Sequence, residues 1–195
     1  MHITMLGDGR LVQPLAKLAI RAGNTVLKAE DVGTNVSSCT PSEMVLVTGE
    51  RAALTGVLAR VKPMLSEDIV VVDATTTVTS DQSSGEEDRA SENEWRALLP
   101  STRIVRAFAS VPAEAFTLLA DCAPDGHIEL AVPFACDDAA AKQLVSRFMR
   151  QIGVEPFDLG PLAVSYVMDP GGPLWGKAID ALDMQEYVGR LSGDG

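Results

Sequence analysis

Short apolar runs alternate with longer stretches of helical periodicity along this 195-residue chain, and this alternation restricts the fold more than any other feature. Runs typical of buried strands occupy residues 2–6, 25–28, 44–47, 68–73, 103–108 and 128–133. Between them, residues 10–23, 50–65 and 137–153 carry apolar residues at helical spacing, and the first stretch stops at Gly23. The order predicts β-α-β units around a mostly parallel sheet, as in Rossmann-like folds.

The turn after the first strand carries most of a phosphate-binding glycine pattern. In the G-x-G-x-x-G spacing, Gly7 and Gly9 fill the first two positions and Val12 fills the third. The first glycine allows a tight bend, and the second lets the backbone approach a pyrophosphate. The amides of Arg10, Leu11 and Val12 open the following helix and would face the phosphate. The pattern therefore predicts a dinucleotide site, with Val12 holding the helix slightly away from the strand.

Acidic residues after the second strand predict which nucleotide is preferred. Glu30 and Asp31 follow Gly9 by about twenty residues, where such folds bind the ribose. A carboxylate there accepts hydrogen bonds from ribose hydroxyls, whereas the 2′-phosphate of NADP would add a like charge beside it. We expect NAD(H) to be preferred to NADP(H). Strand alternation puts Lys28 on the same face as Glu30, where the two would pair.

Composition restricts the partners. The formal net charge of −11 argues against nucleic acid, and no apolar run reaches the roughly 20 residues of a membrane span. The widely spaced Cys39, Cys122 and Cys136 are expected to be reduced, in a cytoplasmic protein, without a catalytic role. His2 and His127 stand far apart and predict no metal site. Small molecules are the expected ligands.

A long polar segment interrupts the alternation of strand and helix patterns. Residues 75–94 are rich in Ser, Thr, Asp and Glu and follow the strand at 68–73. By composition they predict a solvated loop. By position, at the sheet edge where open α/β sheets bind ligands, they are also compatible with a mobile lid.

Four segments resemble one family, the deazaflavin (coenzyme F-420)-dependent NADP oxidoreductases. They are "MLGDGRLVQPLAKLAIRAGNTV", "IVVVDATTT", "ALLPSTRIVRAFASVPAEAF" and "PFACDDAAAKQLVSRFMRQIGVEPFDLGPL". The resemblance implies an α/β, Rossmann-like doubly wound, mostly parallel sheet with a helical C-terminal extension. It implies a dinucleotide-binding domain at 1–159 and an extension at 160–195 that contributes to the pocket and to a dimer contact.

The resemblance also implies the residues of the site. The dinucleotide would lie across the glycine turn, with the ends of the third, fourth and fifth strands near the nicotinamide. The candidate cofactor-binding residues are Gly7, Asp8, Gly9, Arg10, Leu11, Glu30, Asp31, Val47, Thr48, Gly49, Thr75, Thr76, Ala109 and Ser110. The hydroxyls of Thr48, Thr75, Thr76 and Ser110 would position the rings, or alternatively cap turns at strand ends.

Several family residues are replaced in this chain. Glu30 and Asp31 stand where the family receives the 2′-phosphate, Thr76 and Thr77 replace an Asn-Pro pair, and Ala109 and Ser110 replace Asn-Thr. No basic cluster is obvious for the anionic tail of the deazaflavin. The candidate cations for it are Arg51, Arg103 and Arg106.

The expected function is hydride transfer between a nicotinamide dinucleotide and either coenzyme F-420 or a small-molecule substrate, which requires no catalytic acid or base. The alternative is a divergent Rossmann domain without redox activity that acts as a binding or partner subunit. A homodimer is expected through apolar residues of the C-terminal extension, namely Leu162, Val164, Tyr166, Val167, Leu174 and Trp175.

Overall fold

A seven-stranded sheet organises the part of the chain that the computed structural model describes, residues 1–7, 9–29, 42–50, 68–76, 103–122 and 129–193. In chain order the strands are β1 (His2–Leu6), β2 (Thr25–Ala29), β3 (Met44–Glu50), β4 (Val70–Thr76), β5 (Arg103–Ala107), β6 (Ala131–Cys136) and β7 (Glu155–Asp158). Their order across the sheet is β2-β1-β3-β4-β5-β6-β7. Only β5 and β6 pair antiparallel, so β1–β5 run one way and β6–β7 the other. The predicted α/β, Rossmann-like fold is confirmed.

The helices in the described residues are α1 (Val12–Arg21), α2 (Ala113–Asp121), α3 (Ala139–Gln151), a 3-10 helix (Leu162–Met168) and α4 (Ala181–Gly193). The first three lie between strands, and the last two follow β7. The predicted acidic start of α3 is confirmed, because the Asp138 carboxylate accepts a hydrogen bond from the Ala141 amide at 2.7 Å. The predicted glycine stop of α1 is also confirmed, with Gly23 at φ +81°. No helix in the described residues is long and apolar enough to span a membrane.

Several strand predictions differ from the structure: β3 runs to Glu50 rather than to residue 47, and β4 spans Val70–Thr76 rather than 68–73. The sixth strand was predicted at 128–133, but β6 runs three residues further because Val105 pairs with Cys136 and Ala107 with Phe134 across the antiparallel ladder. β7 was not predicted, because it is a four-residue edge strand with a proline and alternately exposed residues rather than an apolar run. Glu50, predicted to begin a helix at 50–65, is instead the last residue of β3, and Thr75 and Thr76 of the polar segment predicted at 75–94 end β4. The other residues of these two segments lie outside the described part of the chain.

Two clusters of the core lie within the described residues. The larger covers one face of the sheet, where α1, α2 and α3 pack on side chains of β1, β3, β4, β5 and β6. The smaller lies over Ala131 and Ala135 of β6, which Met168, Leu174 and Met184 cover. The C-terminal extension therefore packs on its own sheet. Its apolar residues were expected to be left over for a dimer contact, but Leu162 and Leu174 are buried within the chain. The homodimer stays a prediction.

Candidate functional site

The glycine turn after β1 packs closely on the end of β3. Gly7 has φ +104°, and a Cβ built on it would lie 2.0 Å from the carbonyl oxygen of Thr48. A Cβ on Gly9 would lie 2.8 Å from the amide nitrogen of Gly49. The hydroxyl of Thr48 donates to the carbonyl of Leu6 at 3.4 Å and is buried in this contact. Both glycines are therefore required by the packing of the turn itself.

The first turn of α1 opens toward solvent-accessible space without a side-chain cap. Leu11 is the N-cap residue and makes no capping hydrogen bond through its side chain. The Val12 amide was predicted to face a phosphate, but it donates to the Gly9 carbonyl at 3.0 Å and is occupied. The amides of Arg10 and Leu11 make no backbone hydrogen bond within the described part of the chain. These two amides remain suited to an anion at the positive end of α1.

A cleft of about 480 Å³ lies in front of this turn, at the carboxyl edge of the parallel strands. Five segments line it: residues 9–11 of the glycine turn, Gly49 at the end of β3, Ala74 and Thr76 on β4, residues 109–114 after β5, and residues 175–176 of the C-terminal extension. Its volume is typical of small-molecule sites, about 300–1,000 Å³. Ligands of open α/β folds bind at this edge of the sheet.

The turn between β5 and α2 forms another part of the cleft wall. Phe108 has φ +68°, a strained conformation for a bulky residue, and is fully buried. Its ring packs edge-to-face on Phe116 and Phe148, with centroids 5.8 and 6.2 Å away. This aromatic cluster holds the strained turn in place, and such strain concentrates at functional sites.

Ser110 follows in the same turn and lines the cleft. Its side chain is 2% exposed, and its Oγ has no hydrogen-bond partner among the described residues. A buried hydroxyl without a partner costs about 1–3 kcal/mol. The Ser110 hydroxyl is therefore a buried polar group whose hydrogen-bonding capacity the described part of the fold does not use.

A second helix begins at the cleft. α2 starts at Pro112, which provides no side-chain cap, and its first residues, Ala113 and Glu114, line the cleft. The guanidinium of Arg10 lies 3.7 Å from the Glu114 carboxylate, and both side chains are mostly exposed. The amino ends of α1 and α2 thus face one cleft from two sides, and one exposed ion pair joins their rims.

The C-terminal extension closes the inner end of the cleft. The amide of Gly176 donates to the Ser110 carbonyl at 2.7 Å, and Trp175 lines the cleft beside it. Further back, Arg106 on β5 donates from Nη2 to the carboxylate of Asp169. Its Nη1 lies 3.2 Å from Oδ1 of Asp73 on β4. These buried contacts fix the extension to the sheet.

The arginines predicted for an anionic ligand tail have other roles. Arg106 is 3% exposed and pairs with carboxylates behind the cleft. Arg103 begins β5, at the opposite edge of the sheet, and lies 3.6 Å from Asp68 and 3.5 Å from Asp138. Neither arginine lines the cleft, and carboxylates of the fold lie beside both, so the structure does not support the expectation that these two cations serve the ligand. Arg51 lies outside the described residues.

The structure brings about half of the predicted site residues together. Those that line the cleft are Gly9, Arg10, Leu11, Gly49, Thr76, Ala109 and Ser110. Four others do not line the cleft: Gly7 and the buried residues Val47, Thr48 and Thr75. The Thr75 hydroxyl donates to the Asp73 carboxylate at 2.6 Å and so stabilises the strand end. Asp8, Glu30 and Asp31 lie outside the described residues. Lys28 donates to Gln13 at 3.1 Å, and its expected pairing with Glu30 involves a residue outside the described part of the chain.

Sequence reasoning missed the start of α2. Pro112 to Glu114 line the cleft, and a proline followed by an acidic residue is a helix-start signal that could have indicated them. It also missed the contact of Gly176 with Ser110, which joins positions 66 residues apart and leaves no local pattern.

Comparisons with known proteins identify the fold. No protein-family model and no curated protein matches the chain. Among solved structures, a hypothetical protein from Sinorhizobium meliloti matches with a TM-score of 0.68 and 18% identity, covering 92% of this chain and 95% of that one. A provisionally named F-420-dependent NADP reductase from Arthrobacter matches with a TM-score of 0.65 and 16% identity, covering 84% and 86%. A glycerol-3-phosphate dehydrogenase from Coxiella burnetii gives 0.59 and 13%, covering 80% of this chain but 53% of that longer one.

Proposed function

We propose that the protein is an oxidoreductase that uses a nicotinamide dinucleotide, bound in the cleft between the amino ends of α1 and α2. One observation carries the proposal. The glycine turn leads into an uncapped helix whose Arg10 and Leu11 amides open on a cleft at the carboxyl edge of a parallel sheet. That combination suits a pyrophosphate, because the helix end supplies both amide donors and positive potential.

The residues present fit such a cofactor. Arg10 is the cation that lines the cleft in the described part of the chain, and its exposed side chain can reach a phosphate. Gly49, Ala74 and Thr76 offer a surface of small side chains at the ends of β3 and β4, against which a flat ring can lie. When bound, a nicotinamide ring supplies or accepts the hydride. The protein's contribution would be to orient the ring and the substrate and to exclude water.

The names of structural neighbours are consistent with the proposal. The Arthrobacter protein is named for an F-420-dependent NADP reductase and the Coxiella protein for a dehydrogenase. At such low identity these likenesses establish the fold alone. The names of the two neighbours agree with redox chemistry but identify no substrate for this protein. Coenzyme F-420 has less support as the substrate, because Arg103 and Arg106 are paired with carboxylates of the fold.

A binding or partner domain without redox activity is the second candidate. It is favoured by one observation: the packing of Gly7 and Gly9 against Thr48 and Gly49 accounts for both glycines without any nucleotide. The glycine pattern alone therefore does not decide between the two functions. Nucleotide binding has to be measured.

Isothermal titration with NADH and NADPH tests the proposal directly. We expect saturable binding of at least one of them, weakened about tenfold by Arg10→Glu, because a charge-assisted contact to phosphate is replaced by repulsion. Arg147→Glu is the matched control, since Arg147 is also exposed but lies on α3, away from the cleft. Equal loss in both variants, or no binding of either nucleotide by the folded protein, would favour the second candidate.

A further inference from the structure

We infer that the turn between β5 and α2 forms a second oxyanion site in the cleft, which binds a carboxylate or phosphate group of a small substrate. The inference rests on the proposed function in one respect: the ligand is called a substrate because the protein is proposed to be an enzyme. The site itself consists of the Ser110 hydroxyl and the amino end of α2, which line the same cleft as the glycine turn.

The unpartnered hydroxyl of Ser110 points to a ligand independently of the helix end. It lines the cleft, is 98% shielded from solvent, and its Oγ has no hydrogen-bond partner in the described part of the chain. A hydroxyl in this state has an unused donor, and such groups in native structures call for an explanation. A ligand oxygen at this wall would accept that hydrogen bond.

The start of α2 supplies the complementary donors. The helix has nine residues, its N-cap Pro112 makes no side-chain capping bond, and Ala113 and Glu114 line the cleft. The amides of Ala113 and Glu114 make no backbone hydrogen bond to other described residues. First-turn amides and the helix dipole favour a negatively charged oxygen.

The acidic side chain at this helix end does not occupy the site. Glu114 is mostly exposed, and its carboxylate lies beside the Arg10 guanidinium at the rim. The Arg10 guanidinium therefore compensates its charge at the rim of the cleft. The buried ring of Phe108, held between Phe116 and Phe148, fixes the turn that carries Ser110, so the donors are held in place before a ligand arrives.

Trp175 provides a built-in reporter, because it lines the same cleft and the chain has two tryptophans. In a Trp95→Phe background, inorganic phosphate and acetate would be titrated separately at constant ionic strength while Trp175 fluorescence is recorded. We expect a saturable change for at least one anion, and about tenfold weaker binding after Ser110→Ala, since a hydrogen bond to a charged group is lost. Thr117→Ala is the control, because it removes an exposed hydroxyl from the same helix.

The same titrations repeated with saturating NADH identify the source of the oxyanion. Unchanged anion affinity supports a substrate group, whereas competition assigns the site to the phosphates of the dinucleotide and overturns the substrate assignment. No saturable change, or equal affinity in Ser110→Ala and its parent, overturns the site. If NADH does not bind but the anion does, the proposed function fails and the oxyanion site stands.

Discussion

Arg106 of β5 donates a hydrogen bond from Nη2 to the carboxylate of Asp169, and both side chains are almost completely buried. The same guanidinium donates from Nη1 to the carbonyl of Thr75 at 2.7 Å. One arginine thus joins two strands of the sheet to the C-terminal extension. Because Trp175 and Gly176 follow Asp169 closely in the chain, this ion pair also helps to place the inner wall of the cleft.

Breaking this ion pair should be costly. We predict that Asp169→Ala lowers the free energy of unfolding by about 3–5 kcal/mol, because it leaves a buried charge less compensated. Urea unfolding measures the change. The control is Lys17→Met, which breaks an ion pair with Asp121 at 2.6 Å between side chains that are more than half exposed. That pair should contribute less than about 1 kcal/mol. Equal effects would mean that Asp169 does not anchor the extension.

The glycine turn should tolerate no side chain. Gly7→Ala combines a positive φ with a Cβ placed 2.0 Å from a backbone oxygen, so we predict a loss of more than about 3 kcal/mol in unfolding free energy. Gly189→Ala is the matched control, because it lies in α4 with open space around it and should stabilise the helix by about 0.5–1 kcal/mol. A mild effect at Gly7 would show that the turn does not pack on β3 as described.

The strands and helices with strong periodicity could be predicted from the sequence, since burial on one face imposes the pattern. α3 is the clearest case: its acidic start at Asp138 and its glycine stop at Gly153 are both local signals. β7 could not be predicted in this way, because a half-exposed edge strand needs no apolar run.

The candidate site was predicted only where its residues follow strand ends. Gly9 and Gly49 meet because parallel strands end at one edge, which the strand order implies. The burial of Arg106 depends on Asp169, 63 positions later, and no local pattern encodes that pairing. Val12 replaces the third glycine of the motif and is 3% exposed in the core, so its role in packing also appears only in three dimensions.

Cysteine reactivity should follow burial. Cys136 is fully buried in β6, and burial raises the pKa of its thiol above the usual range, so little reactive thiolate is present at neutral pH. Cys122 at the end of α2 is half-buried. We predict that a maleimide labels Cys122 well before Cys136 in the native protein, and both after denaturation, as followed by peptide mass spectrometry. Faster labelling of Cys136 would contradict the described β6 packing.

Nucleotide preference tests the acidic residues after β2. If Glu30 and Asp31 bind the ribose, the native protein should favour NADH over NADPH, because the 2′-phosphate meets like charge. The double variant Glu30→Ser with Asp31→Arg should reverse the preference. Titration calorimetry compares the two nucleotides in both proteins. A native preference for NADPH would contradict the assignment.

The most direct test of the account is energy transfer from Trp175 to bound NADH. In the Trp95→Phe protein, Trp175 lines the proposed dinucleotide cleft and is the only remaining tryptophan of the sequence, so it can be excited selectively. We predict that titration with NADH quenches its emission saturably and sensitises nicotinamide fluorescence, and that Arg10→Glu shifts the curve to about tenfold higher concentration. Binding of NADH without any change in Trp175, or no binding to the folded protein, would contradict the claim that this cleft holds a nicotinamide dinucleotide.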